Sequence, residues 1–155
     1  MRAFVVKELT HPSNISLSTD VPEPTAGPDQ VLVDVYSAGL NFFEVSIPSL
    51  FSRSQFSSNH GIQILQAQGK YQTKNALPFT LGTEFAGRIS DDSPIPTGCN
   101  LQRGQRVFGA QLGSFADKVA VGLEQLLPLP DNLSYDQGAG SFSPLNFVWY
   151  NKHHA

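Results

Sequence analysis

Val31, Val33 and Val35 alternate with Leu32, Asp34 and Tyr36, and this period of two predicts a strand over Val31–Ala38 with one wholly apolar face. Such a face must be buried against other strands, and the rest of the chain supplies short ones. Arg2–Lys7, Glu84–Ile89, Gln105–Phe108, Phe115–Val121 and Gln125–Leu129 carry similar apolar runs, separated by connections that contain Gly or Pro. Pro22, Pro24, Gly27 and Pro28 break the backbone ahead of the strongest strand. Thirteen Gly, eleven Pro and only 15% charged residues in 155 leave little material for long surface helices. The expected class is β-rich, all-β to α+β, with one core arranged as a barrel or a sandwich.

The same residues exclude several functions. Ten Lys and Arg are scattered over a chain of net charge −3, so no basic stripe is available to neutralise phosphates and no nucleic acid partner is expected. The apolar run at Met1–Val6 is too short for a signal peptide, and no stretch approaches the roughly 20 apolar residues of a membrane span. The expected location is cytoplasmic, with a mitochondrial one left open. Cys99 is alone, which excludes an internal disulfide and any multi-cysteine zinc site. Asn14-Ile15-Ser16 and Asn132-Leu133-Ser134 fit the glycosylation pattern and are read as ordinary loop residues in a chain without a secretion signal. His153 and His154 lack the partners a metal site needs and are read as solvated.

One helix start stands out. Asn41 precedes Phe42 and Phe43 and is followed three residues on by Glu44, in the manner of a capping box. Pro48 then stops that helix after about one turn. From Val45 to Gln63 the composition changes: six Ser, no Asp, Glu or Lys, and no period. Without those 19 residues, Asn41-Phe42-Phe43-Glu44 runs into Ile64-Leu65-Gln66-Ala67-Gln68-Gly69, an amphipathic helix ending at Gly69. Local rules agree across the junction and conflict inside it, so Val45–Gln63 reads as an insert, expected to be a disordered loop and attributable to a retained intron that keeps the frame. Closing a loop of that length costs about 2.6 kcal/mol.

With the insert set aside, Ala38-Gly39-Leu40-Asn41-Phe42-Phe43-Glu44, Gln68-Gly69-Lys70-Tyr71, Leu77-Pro78-Phe79-Thr80-Leu81-Gly82-Thr83-Glu84-Phe85-Ala86-Gly87, Gly104-Gln105-Arg106-Val107-Phe108, Gly113-Ser114-Phe115-Ala116 and Leu127-Pro128-Leu129-Pro130-Asp131 follow one another in order. This series resembles the zinc-independent quinone oxidoreductases of the medium-chain dehydrogenase/reductase superfamily, over about residues 1–140. The resemblance implies a GroES-like, partly open β-barrel with few short helices, followed in that family by a Rossmann domain that binds NADPH. Gly138-Ala139-Gly140 lacks the third glycine of a dinucleotide fingerprint, since position 143 is Ser143, and it reads as a turn. The expected organisation is therefore a GroES-like domain over 1–140 interrupted by 45–63, a divergent tail over 141–155, and no Rossmann domain.

The resemblance also assigns the site. The zinc-containing relatives carry a Cys at the place of Asn41 and a His at that of Thr83, so no metal is expected. Asn41 and Tyr71 fall where the family places groups beside the nicotinamide ring and the substrate carbonyl, and they are the expected catalytic and cofactor-binding residues. Read without the resemblance, Asn41 is a helix cap and Tyr71 a partly buried aromatic. Many relatives carry a second tyrosine where this chain has Leu65, which neither donates nor accepts a hydrogen bond. Glu84 and Arg106, at strand ends, are read as structural or solvated. The implied function is the N-terminal part of an NADPH-dependent reductase that delivers hydride to the conjugated carbonyl of a small-molecule quinone or enone. The chain alone is expected to bind no NADPH and to be inactive. The rival is a non-catalytic interaction module or an unstable mis-spliced product.

Overall fold

The computed structural model describes residues 1–40, 66–70 and 75–141. Among the described residues, eight strands follow one another as β1 (Ala3–Val6), β2 (Leu17–Ser18), β3 (Gln30–Gly39), β4 (Phe79–Thr80), β5 (Glu84–Ile89), β6 (Arg106–Ala110), β7 (Lys118–Gly122) and β8 (Leu126–Pro128), and a short helix, α1 (Tyr135–Ala139), comes after them. Five strands form an antiparallel sheet in the order β7-β3-β5-β6-β8, and three form a smaller sheet in the order β2-β1-β4. The curled larger sheet, closed on one side by the smaller, is the β-rich GroES-like half-barrel anticipated from the sequence.

The alternation in β3 decides which face is inside. Val31 and Val33 are fully buried and meet Phe85 and Ile89 of β5, Val107 of β6, Val119 and Val121 of β7 and Leu126 of β8, with Val35 against the same cluster. Each large side chain buried there contributes about 1.5–3 kcal/mol. The ladder from Val31↔Val121 to Asp34↔Lys118 on one side and Val33↔Ile89 to Val35↔Gly87 on the other keeps the valines on that face.

The strand expected over Phe115–Val121 begins three residues later, at Lys118, for a specific reason. Phe115–Asp117 run beside β1 instead: the Phe4 N–H donates to the Phe115 carbonyl at 2.9 Å, the Asp117 N–H to the Arg2 carbonyl at 3.0 Å, and Ala116 bridges Ala3. The chain thus changes sheets at Asp117. β6 begins at Arg106, one residue later than expected, and extends to Ala110, while Gln125 belongs to a 3-10 turn over Leu123–Gln125 that precedes β8.

Two readings are corrected near the end of the described chain. Gly138-Ala139-Gly140 is not a free turn: Gly138 and Ala139 are helical and Gly140 is the C-cap of α1. Ser134, noticed only for its place in a glycosylation pattern, is the N-cap of that helix, in a complete capping box with Gln137. The helix is amphipathic through small residues. Ala139 packs with Ala86 of β5, Phe108 of β6 and Leu129 on the outer face of the sheet, with Leu133 and Tyr135 against them.

Gln66 and Ala67 are helical. Gly69 has φ +67, the left-handed geometry expected of a glycine that ends a helix, and its N–H donates to the Gln66 carbonyl at 3.0 Å. That helix end is anchored: Ala67 is fully buried against Val6 and Leu81, and its carbonyl accepts from the Thr10 N–H at 2.9 Å.

Candidate functional site

Three strand ends meet at one rim of the larger sheet. Gly39, the last residue of β3, pairs with Glu84, the first of β5, and Glu84 pairs in turn with Ala110, the last of β6. Leu40 continues from this rim with 78% of its surface exposed. The next residue is Asn41.

The other side of the rim is built by backbone hydrogen bonds from the Gly-containing loop after β6. The Gln111 N–H donates to the Thr83 carbonyl at 2.9 Å, Gly113 to Gly82 at 3.0 Å and Phe115 to Leu81 at 2.8 Å. Gly82 has φ +100, and a Cβ there would lie 2.4 Å from the Phe115 nitrogen, so this loop closes only on a glycine. The Ser114 hydroxyl, fully buried, donates to the Glu84 carbonyl at 3.1 Å. Thr83 and Glu84 are therefore fixed in place by main-chain contacts on both sides.

Glu84 is 1% exposed, so of the two expectations for it, structural or solvated, burial leaves the structural one. Arg106 is structural. Its guanidinium donates to the Pro130 and Asp131 carbonyls, each at 3.2 Å, and to that of Leu133, and it lies 4.8 Å from the ring centroid of Tyr135. It thereby ties the loop that leads into α1 to β6. Sequence reasoning missed this role because the three acceptors are main-chain atoms of a loop more than twenty positions further along.

An open groove of about 390 Å³ reaches this rim, lined by Phe4, Leu17, Tyr36, Leu40, Phe115 and Ala116 among others. Phe4, Leu17 and Tyr36 are 41%, 44% and 61% exposed, so the groove presents apolar side chains to solvent. The Arg2–Asp117 ion pair, at 2.9 Å, stands at its edge. Hydrogen bonding by Arg2, through both its guanidinium and its backbone N–H, holds the Asp117 carboxyl below the usual range. A second groove of about 410 Å³ lies between Asn75–Ala76, β4 and the Leu112–Gly113 turn.

Asn41, Tyr71 and Leu65 lie outside the described residues, as do Val45–Gln63 and positions 142–155. Their flanks are described: Leu40 at the rim, and Lys70 after the anchored Gly69. Among the described residues, no three His, Cys, Asp or Glu side chains converge as metal ligands do, and no helix is long and apolar enough to cross a membrane.

A dinucleotide makes a specific demand, a Gly-rich turn whose N–H groups open a helix towards the pyrophosphate. Gly138 and Gly140 sit at the opposite end of α1, where carbonyls rather than N–H groups are left over. Gly138-Ala139-Gly140 is therefore not such a turn.

The sequence profile of the alcohol dehydrogenase GroES-like domain matches residues 27–131. The quinone oxidoreductase of Mus musculus is 30% identical over 141 residues, which is 90% of this chain and 36% of that protein. Among solved structures, a probable oxidoreductase from Mycobacterium abscessus superposes with a TM-score of 0.76 at 28% identity, covering 99% of this chain and 43% of that one. The quinone oxidoreductase from Thermus thermophilus, solved also with NADPH, gives 0.66 at 27% identity, covering 99% and 42%. The chain spans about a third of the curated relatives' length. With the profile covering the rim, the larger sheet and the loop that closes it, the chain belongs to the alcohol dehydrogenase GroES-like domain family and corresponds to the N-terminal part of quinone oxidoreductases.

Proposed function

We propose that this chain forms the substrate-side wall of a reductase acting on quinones or enones, without a metal, and that its residues 1–140 are one domain. The observation that carries the reading is the rim. Gly39, Glu84 and Ala110 end together, Leu40 leads out of them fully enough to meet a ligand, and an apolar groove opens beside it. A flat aromatic acceptor suits such a wall, because apolar side chains bind its ring while a few directed polar groups orient its carbonyl. Asn41 and Tyr71 are the proposed polar groups. Both have side chains that donate hydrogen bonds, and a donor aimed at the carbonyl oxygen stabilises the negative charge that develops there on reduction.

The Thermus thermophilus relative has been solved in complex with NADPH, and NADPH is the proposed reductant. In this reading the nucleotide is held by residues other than Gly138-Ala139-Gly140, which ends a helix rather than opening one. In this reading the chain by itself is inactive, because nothing positions the reductant against the acceptor.

The test is quinone-dependent NADPH oxidation, measured for the purified chain and for a fusion at Gly140 to the C-terminal part of the Thermus thermophilus relative. The expected result is no turnover by the chain and turnover by the fusion, lowered at least ten-fold by Asn41→Ala or Tyr71→Phe. A folded fusion that binds NADPH and leaves quinones untouched overturns the reading. Turnover by the chain alone at the rate of an intact relative overturns the inactivity.

A further inference from the structure

β3 does not run regularly to the rim. Val35 pairs with Gly87 and Ser37 with Ala86, so two steps along β3 match one along β5 and Tyr36 is the extra residue of a β-bulge. A residue inserted in this way leaves the ladder, and everything after it shifts by one position relative to the partner strand. The residues after it are Ser37, Ala38, Gly39 and Leu40, the stretch that delivers the chain to Asn41.

The bulge is built from both strands. On β5, a Cβ added at Gly87 would lie 2.0 Å from the Asp34 carbonyl oxygen, so the close approach of β3 requires a glycine opposite the bulge. On β3, the displaced Tyr36 side chain, 61% exposed, stacks on Tyr135 of α1, with ring centroids 4.7 Å apart and planes inclined at 27°. Tyr135 is held in turn. Its hydroxyl accepts from the Arg88 Nε at 2.7 Å, and the Arg106 guanidinium lies 4.8 Å from its ring centroid. Arg88 and Arg106 are themselves partners in the β5–β6 ladder. The ring that receives Tyr36 is thus fixed to β5, which pairs with β3, and to β6 beyond it.

We propose that Tyr36 and Tyr135 are positioning residues for the rim: their stack pins the bulge, and the pinned bulge sets the register in which Ala38, Gly39 and Leu40 reach the site. The meaning of that register for substrate rests on the proposed function. Its geometry rests on the sheet alone. If Tyr36 slipped back into the ladder, the side chains from Ser37 to Leu40 would exchange faces, and the groove would lose Leu40 to the opposite side. An exposed tyrosine stacked on a second tyrosine is a modest contact, but it acts on a stretch with few other constraints. Leu40 is largely exposed, and Ser37, Ala38 and Gly39 are only partly buried.

Amide hydrogen exchange on the whole chain tests this, with Tyr135→Ala, Tyr135→Phe and Tyr36→Ala. The expected result for either alanine variant is exchange roughly three- to ten-fold faster at Ser37, Ala38 and Gly39, with Val31, Leu32 and Val33 unchanged. Tyr135→Phe keeps the stack and is expected to restore the parent pattern. Tyr36→Ala removes the stack and leaves the contacts of α1 with Ala86, Phe108 and Leu129, so its result stands even if Tyr135→Ala loosens the helix. Unchanged exchange at Ser37–Gly39 overturns the proposal, and so does an equal increase along all of β3. A Tyr135→Phe variant that behaves like Tyr135→Ala overturns it too, by assigning the effect to the Arg88 hydrogen bond. The measurement uses no substrate, so a failed quinone assay and a failed exchange experiment remain separate results.

Discussion

The two faces of the larger sheet are built on different principles. Inside, Val31, Val33, Phe85, Ile89, Val107 and Val121 are apolar side chains with exposures of 1% or less, and their contribution is burial. Outside, under α1, a smaller apolar cluster of Ala86, Phe108, Leu129 and Ala139 is joined by two tyrosines and two arginines, whose contribution is direction: a stack, a cation–π contact, and hydrogen bonds to a tyrosine hydroxyl and to named carbonyls. The inner face makes the barrel stable, while the outer face settles where one strand ends and where the chain leaves. Substitutions inside are therefore expected to act on global stability, and substitutions outside on local geometry.

The largest expected effect is Phe85→Ala, which opens a cavity in the inner cluster and costs about 3–5 kcal/mol in chemical denaturation. A loss below about 1 kcal/mol would break the comparison, since the inner face would then not be the source of stability. Gly87→Ala comes next. Its new Cβ meets backbone rather than a flexible side chain, so the strands must part at the bulge, at a cost of roughly 1–3 kcal/mol. Crystallography of the variant should show β3 displaced at Asp34. Ser134→Ala removes the side-chain half of the capping box on α1 and is expected to cost about 1 kcal/mol. Near-ultraviolet circular dichroism should report a changed tyrosine environment while the barrel melts cooperatively as before.

The smallest effect sharpens the comparison through pH. On the outer face of β7, Lys118 meets Asp92 at 3.0 Å, Glu23 at 3.2 Å and Asp34 at 3.8 Å. Burial works against its charge, yet hydrogen bonds with Asp92 and Glu23 leave its pKa above the ordinary 10.5. Hydrogen bonds from Ser90 and then from Lys118 hold Asp92 below the ordinary 3.8. A raised lysine pKa gives stability that is present below 10.5 and lost as pH rises through the higher folded value. A lowered carboxylate pKa gives stability that is present above 3.8 and lost as pH falls through the lower folded value. The difference in thermal midpoint between parent and Lys118→Met is thus expected to be widest between those limits and to close at both ends. A difference independent of pH would mean that the lysine contributes only packing by its aliphatic stem.

The inner face was legible because burial leaves a periodic mark. The valine alternation located β3, and β5 was expected over Glu84–Ile89, the range it occupies. β2 and β4 were missed because two residues carry no period. The outer face was nearly invisible. Arg106 acts on main-chain carbonyls, which no residue type announces, and the cap at Ser134 opens a helix of five residues, too short for an apolar stripe. Tyr36 was read as the polar side of an alternation, which the bulge interrupts at that residue. The site was legible only in part. Asn41 and Tyr71 came from ordered motifs rather than from geometry. For Glu84 the sequence left structural and solvated open, because its position at a strand end hid the loop that covers it.

The central place of β3 bears on how the chain is made. Its partners are β5 and β7, and β7 leaves the ribosome only after β4, β5 and β6. Until then the valines of β3 have an unpaired edge and no complete core, in a nascent chain of largely non-local pairing, the topology that folds slowly and is open to aggregation. The order of synthesis thus makes β3 a client for chaperones during translation, and a stall before Lys118 is more hazardous to this barrel than a stall after Gly122.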